Sequence, residues 1–118
     1  MSRGRLISLV PAAAVPEGGK HACSVDGLEV LLCNVEGTIY AVENRCSHAS
    51  SRLDIGKLKG HAIGCPLHGA RFDVRDGRAL AAPATKPIRS FEVVMEGGKV
   101  NIVGPAPLPV RPKFGPLG

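Results

Sequence analysis

Cys46-Ser47-His48 and, after sixteen intervening residues, Cys65-Pro66-Leu67-His68-Gly69 decide how this chain is read. Each half offers one thiolate and one imidazole within a short loop, so four metal-binding side chains can converge on one point. The second half runs on through Gly69-Ala70-Arg71-Phe72-Asp73 to Asp76-Gly77. Between the halves, Gly60-His61-Ala62-Ile63-Gly64 feeds the second loop, and no helical period is written nearby.

Two metal chemistries suit two Cys and two His. Tetrahedral zinc accepts such a set, but zinc fingers usually group Cys with Cys and His with His, with the His pair on a helix. Here each half is mixed. That distribution suits a [2Fe–2S] centre in which one iron takes two Cys and the other two His. The pattern C-x-H, a spacer, then C-x-x-H resembles the Rieske signature. A zinc-stabilised interaction module stays as the alternative, separable by colour.

The resemblance covers about residues 6–103 and implies an all-β Rieske fold of three stacked antiparallel sheets with a cluster-binding insert. It assigns Cys46 and Cys65 to the inner iron and His48 and His68 to the outer one. The outer imidazoles would ligate through Nδ1 and expose their other edges, where an electron would leave. Ala82-Pro83-Ala84 matches the family's proline-containing loop over the cluster's third side.

Mixed ligation matters for the potential. Two ferric ions, two sulfides and two cysteinates sum to a neutral core, which accepts an electron more easily than a core with four cysteinates. Such centres span roughly −150 to +300 mV. High-potential members of the family carry an extra Cys in each cluster loop and a Ser and a Tyr that donate to sulfur. The corresponding positions here are Ser51 and Leu67, and Ala70 and Phe72, so all four features are missing. The chain is therefore similar to the soluble ferredoxins that serve bacterial aromatic-ring dioxygenases.

That resemblance implies a single-electron carrier, not an enzyme. It would take electrons from a flavin-dependent ferredoxin reductase and pass them to a Rieske-type terminal oxygenase. An oxygenase would need a further mononuclear iron held by two His and a carboxylate. After the four ligands are assigned only His21 and His61 remain, each read as a surface or satisfied core residue. The small Rieske-like subunit of a nitrite reductase is the other alternative; those subunits often lack complete ligands, and this motif is complete.

Composition bounds the rest. A chain of 118 residues is one domain, and with no Trp and three Phe its core must be aliphatic. Cys23 and Cys33 flank the hairpin signal Asp26-Gly27, whose register pairs Cys23 with Val30. Cys33 then lies three residues further, on the opposite face, too distant to bridge. Both read as free, buried thiols of a reducing compartment, so the expected location is cytoplasmic. No run approaches the ~20 apolar residues of a membrane span. Residues 6–15, behind Arg3 and Arg5, hint at a secretory signal, but Ser8 and Pro11 interrupt them. A net charge of +5 is modest, and the chain lacks the aromatic platforms of single-strand binders, which argues against a nucleic-acid partner. A monomer is expected.

In chain order, residues 6–10 form a strand ended by Pro11, and 12–19 a loop. Residues 20–25 and 28–35 form a hairpin, and Glu36-Gly37 leads into a third strand at 38–42. Liganding loops occupy about 44–75. Residues 79–87, Ala- and Pro-rich, read as irregular. Residues 88–95 read as a strand, and Gly97-Gly98 turns the chain into a closing strand at 99–103. The expected organisation is a domain over 1–103 and a Pro-rich extension over 104–118, which has five Pro in fifteen residues.

Overall fold

The computed structural model of the chain describes residues 6–25, 27–46, 52–66, 69–81 and 86–104. Among the described residues there are eleven strands, one short 3-10 turn, Ala12–Ala14, and no α-helix. Three antiparallel sheets result. The first holds β1 (Leu6–Pro11), β11 (Lys99–Val103) and β10 (Val93–Glu96), in that order. The second holds β2 (Lys20–Val25), β3 (Leu28–Val35), β4 (Thr38–Glu43) and β9 (Ser90–Phe91). The third holds β5 (Leu58–Lys59), β6 (Ala62–Gly64), β7 (Arg71–Asp73) and β8 (Ala79–Ala81).

The second sheet is the middle layer, and β3 shows why. A strand with one wet face alternates polar and apolar residues, whereas one covered on both faces is a continuous apolar run. From Val30 to Val35 every residue of β3 is buried. Val30 and Leu32 pack with Ile7, Ala41, Val100 and Ile102, against the first sheet. Leu31, Cys33 and Val35 point the other way, packing with Val42, Leu53, Ile63 and Phe72 against the third.

The meander β2–β3–β4 is held by its turns. Val35 faces Thr38 across the two residues Glu36 and Gly37, whose φ angles are 54° and 91°. Two left-handed residues in a two-residue loop give the turn whose twist matches the flanking strands. Glu36 is the sole non-glycine with positive φ among the described residues, and Asn34 Oδ1 accepts from the Gly37 N–H at 2.9 Å to hold it there. On the other side, Val25 faces Leu28 and Cys23 faces Val30, the register that Asp26-Gly27 implies. Lys20, not Cys23, faces Cys33, and no disulfide joins any two of the four cysteines.

Three expectations need correction. Pro11 does not end β1 from outside but forms its last rung, opposite Lys99; a proline needs no ladder donor there. Residues 79–81 are not irregular: they form β8, because β7 offers them an open edge that Ala side chains can follow without clash. Finally, residues 88–95 are two strands. Ser90 and Phe91 pair with β4, whereas Val93 onward pairs with β11. The chain crosses from the middle sheet to the first at Glu92, whose carbonyl accepts from the Val103 N–H at 3.0 Å.

Candidate metal centre

Two loops carry the four candidate ligands, and both depart from the face where the second and third sheets meet. The first leaves β4 after Glu43 and re-enters the core at Leu53, which is fully buried. The second joins β6 to β7. It is a tight return: the Cys65 N–H donates to the Ala70 carbonyl at 2.7 Å, and the Gly69 N–H donates back to the Cys65 carbonyl at 3.2 Å.

The loops are pressed together by glycine. Gly56, just past the first loop, lies so close to the Gly64 carbonyl that a Cβ on it would collide with backbone. The adjoining Gly64 N–H donates to the Lys57 carbonyl at 2.9 Å. Only a residue without a side chain allows two backbones to approach this closely. As a result Cys46 and Cys65, 2% and 4% exposed, fall into one apolar cluster with Leu53, Ile63, Ala70 and Phe72. A cavity of about 350 Å³, lined in part by Ile55, Lys57 and Pro66, opens beside Cys65.

Of the four sequence candidates, the structure brings the two cysteines together. His48 and His68 lie outside the described residues, as do Ser51, Leu67 and the 82–84 loop. Among the described residues no three His, Cys, Asp or Glu side chains converge as a metal site. His61 is not part of this arrangement. Its ring meets the edge of Tyr40, centroids 5.7 Å apart, and its carbonyl accepts from the Val74 N–H at 2.8 Å. His21 sits on β2 opposite Leu32.

Charge around the loops is ordered in pairs. Arg52 grips Asp54 through Nε and Nη2, at 3.0 and 3.1 Å. Partial burial pushes the Asp54 carboxyl up, but hydrogen bonds from Asn44 and Arg52 outweigh it and hold the group below the usual carboxylate range. Under β7, Arg75 donates to Asp73 through its backbone N–H, Nε and Nη2 at 2.8 to 3.0 Å. These bonds lower the Asp73 pKa against the opposing effect of burial. Cys33, by contrast, is a thiol pushed up to about 12 by burial, with Lys20 pulling weakly the other way. A thiol that burial holds protonated is a poor nucleophile.

The donor set fits a mixed-ligand iron–sulfur group. Two soft sulfur donors lie buried in an apolar cluster on adjoining loops, and the chain places an imidazole two or three residues beyond each. Asn44, whose side chain bonds across the first loop to Leu53 and Asp54, carries no sequence signal beyond an amide next to the ligand loop.

Comparison with known proteins agrees with this chemistry. The chain is 46% identical over 96 residues to the ferredoxin component of a naphthalene 1,2-dioxygenase system from Pseudomonas aeruginosa, covering 81% of this chain and 92% of that protein. Its fold matches the ferredoxin of carbazole 1,9a-dioxygenase from Nocardioides aromaticivorans IC177 with a TM-score of 0.81 and 34% identity, over 85% of this chain and 98% of the other. A further match is to a chain in the complex of reduced oxygenase and oxidized ferredoxin of carbazole 1,9a-dioxygenase, with a TM-score of 0.82 and 29% identity, covering 91% and 100%. The Rieske [2Fe-2S] domain matches residues 6–92. Three sheets, two buried cysteines and a match across most of the chain meet in one conclusion: this protein belongs to the Rieske [2Fe-2S] family, and its cofactor is a Rieske-type [2Fe–2S] cluster.

Proposed function

We propose that the cluster is held by Cys46 and Cys65 on the inner iron and by His48 and His68 on the outer one, and that electrons enter and leave through the outer imidazole edges. The chain is a ferredoxin component of an aromatic-ring dioxygenase system, an electron carrier and not a catalytic enzyme. When bound, the cluster takes up and releases one electron at a time. The residues do the rest: the two cysteines sit behind Leu53, Ile63 and Phe72, which keep water from the sulfur side. The observation that carries the ligand reading is the shared burial of Cys46 and Cys65 on two loops locked at Gly56 and Gly64.

The partners on this reading are a flavin-dependent ferredoxin reductase upstream and a terminal oxygenase downstream, and the oxidised substrate is chosen by the oxygenase. The carrier works as a monomer, since its sheets bury their apolar faces against one another within one chain. No helix among the described residues is long and apolar enough to cross a membrane. The free thiols of Cys23 and Cys33 support a cytoplasmic setting. Residues 1–103 act as the cluster-binding domain, with 104–118 as an extension.

The purified protein is expected to be red-brown, with iron and acid-labile sulfide in the ratio of a [2Fe–2S] cluster. Cys46→Ser and Cys65→Ser should lose it, and Cys23→Ser and Cys33→Ser should keep it. Stoichiometric zinc without sulfide, or a cluster that survives Cys46→Ser, overturns the assignment.

A further inference from the structure

One side chain closes the neck of the loop that carries Cys46 and His48. Asn44 is 2% exposed, and its side-chain oxygen, its side-chain nitrogen and its backbone N–H are all engaged. Its Oδ1 accepts from two backbone donors at the far side of the loop, Leu53 N–H at 2.8 Å and Asp54 N–H at 2.9 Å. Its Nδ2 donates to Asp54 Oδ1 at 3.2 Å. Its own N–H donates to the Glu29 carbonyl on β3 at 2.9 Å, tying the near side to the middle sheet. The far side is tied separately, because Lys20 Nζ on β2 donates to the Asp54 carbonyl at 3.0 Å. The loop is thus a ring closed by one amide, with both ends fixed to neighbouring strands.

We propose that Asn44 is a positioning residue for the cluster: by closing this ring it holds the Cys46 loop in the form that retains iron. The inference rests on the ligand assignment above. Its physical basis is the double acceptor. Without Oδ1, two N–H groups at the edge of the core lose their partners, and a buried donor without a partner is costly. They regain partners only if the loop opens to water, and an open loop no longer fixes its ligands. The requirement is for an acceptor and a donor together. Aspartate at 44 keeps the acceptor but sets a second carboxylate against Asp54.

The competing account is that Asn44 merely adds stability to the fold. Asn101 provides the control. It is buried to a similar degree, and its Nδ2 donates to the Val94 and Lys99 carbonyls at 3.0 and 3.2 Å, but it lies on β11 in the first sheet. The measurement is the rate at which the cluster's visible absorbance bleaches in a ferrous chelator, together with EPR line width and the thermal midpoint. Asn44→Ala should bleach about ten-fold faster than wild type, the ratio that a loss near 1.4 kcal/mol gives. Asn44→Asp should fall between the two. Asn44→Asp combined with Asp54→Asn reverses the donor and acceptor at constant net charge, and should bleach more slowly than Asn44→Asp alone. Asn101→Ala should lower the thermal midpoint yet bleach at the wild-type rate. The proposal is overturned if Asn44→Ala bleaches at the wild-type rate, or if Asn101→Ala accelerates bleaching as much. Should Asn44→Ala fail to fold, the paired exchange decides, and no rescue by Asp54→Asn sinks the idea. A cluster that survives Cys46→Ser would instead fault the ligand assignment.

Discussion

Cys65 and Ala70 face one another across a closed return, with the Cys65 N–H bonded to the Ala70 carbonyl at 2.7 Å and both residues buried in the same cluster. The methyl group of Ala70 lies in the same buried cluster as Cys65 and offers its sulfur no donor. Phe72, two residues on, is likewise fully buried and has no hydroxyl. Hydrogen bonds to sulfur stabilise the reduced, more negative cluster and raise the potential. With neither donor, the protein should lie near the low end of the Rieske range. Ala70→Ser and Phe72→Tyr should each raise the potential by about 40 mV, the equivalent of about 1 kcal/mol per electron. Protein-film voltammetry reads this directly, and unchanged potentials in both variants would refute the second-sphere account.

Asp73 supplies a pH dependence of defined sign. Its folded pKa is depressed, chiefly by the hydrogen bonds of Arg75, while the unfolded chain titrates near 3.9. A depressed carboxylate stabilises the fold above the unfolded value, and that contribution is lost as pH falls through the folded one. Asp73→Asn should therefore cost about 1–3 kcal/mol at pH 7. The gap between variant and wild type should close as pH drops below about 4. Urea midpoints at pH 7, 5 and 3 test it; a gap that is constant with pH would show that the carboxylate charge is not what holds the 73–78 turn.

The two cysteines outside the motif should differ in reactivity. Cys33 is fully buried and its thiol is pushed up to about 12, so almost none is ionised near neutrality. Cys23 is only half-buried on β2, with a smaller upward push from burial. Iodoacetamide on the native holoprotein should label Cys23 slowly and leave Cys33 untouched until the fold opens. Early labelling of Cys33, read by mass spectrometry, would contradict its place between the second and third sheets.

The parts of this fold that local chemistry governs were legible in the sequence. Asp26-Gly27 and Glu36-Gly37 each force a two-residue turn, and a turn of fixed length sets the register of Cys23 against Val30 with no tertiary information. The Cys/His spacing stands out in the sequence for the same reason, since the ligation proposed for it constrains short stretches of chain. What was hidden depends on partners remote in sequence. Residues 79–81 carry no strand signal of their own and become β8 because β7 accepts them. The break at Glu92 exists because Phe91 and Val93 belong to different sheets, though the apolar run reads as continuous. Asn44 bonds to Leu53 and Asp54, nine and ten residues away, and no pattern marks that pairing.

Positive charge is concentrated in the segment of chain that carries the proposed ligands. Between residues 41 and 75 the chain carries Arg45, Arg52, Lys57, Lys59, Arg71 and Arg75 against Glu43, Asp54 and Asp73, a net of +3 out of +5 overall. The structure divides these into two groups. Asp54 and Asp73 are already matched by Arg52 and Arg75 at 3.0 and 2.8 Å, so those pairs cancel locally. The outward field is left to Arg45, Lys57, Lys59 and Arg71, all exposed, with Lys57 lining the cavity beside Cys65. A field of this kind speeds encounter with an acidic docking face and adds little to the lifetime of the complex. Reductase and oxygenase should therefore associate fast at low salt and more slowly as the Debye length shrinks from about 30 Å at 0.01 M to about 8 Å at 0.15 M. Lys57→Glu with Arg71→Glu should slow electron transfer at low salt and flatten its salt dependence, leaving the potential near its wild-type value. Stopped-flow electron transfer across a salt series separates the outcomes: a wild-type rate indifferent to salt, or one that rises with it, would mean that these cations only solvate the loops.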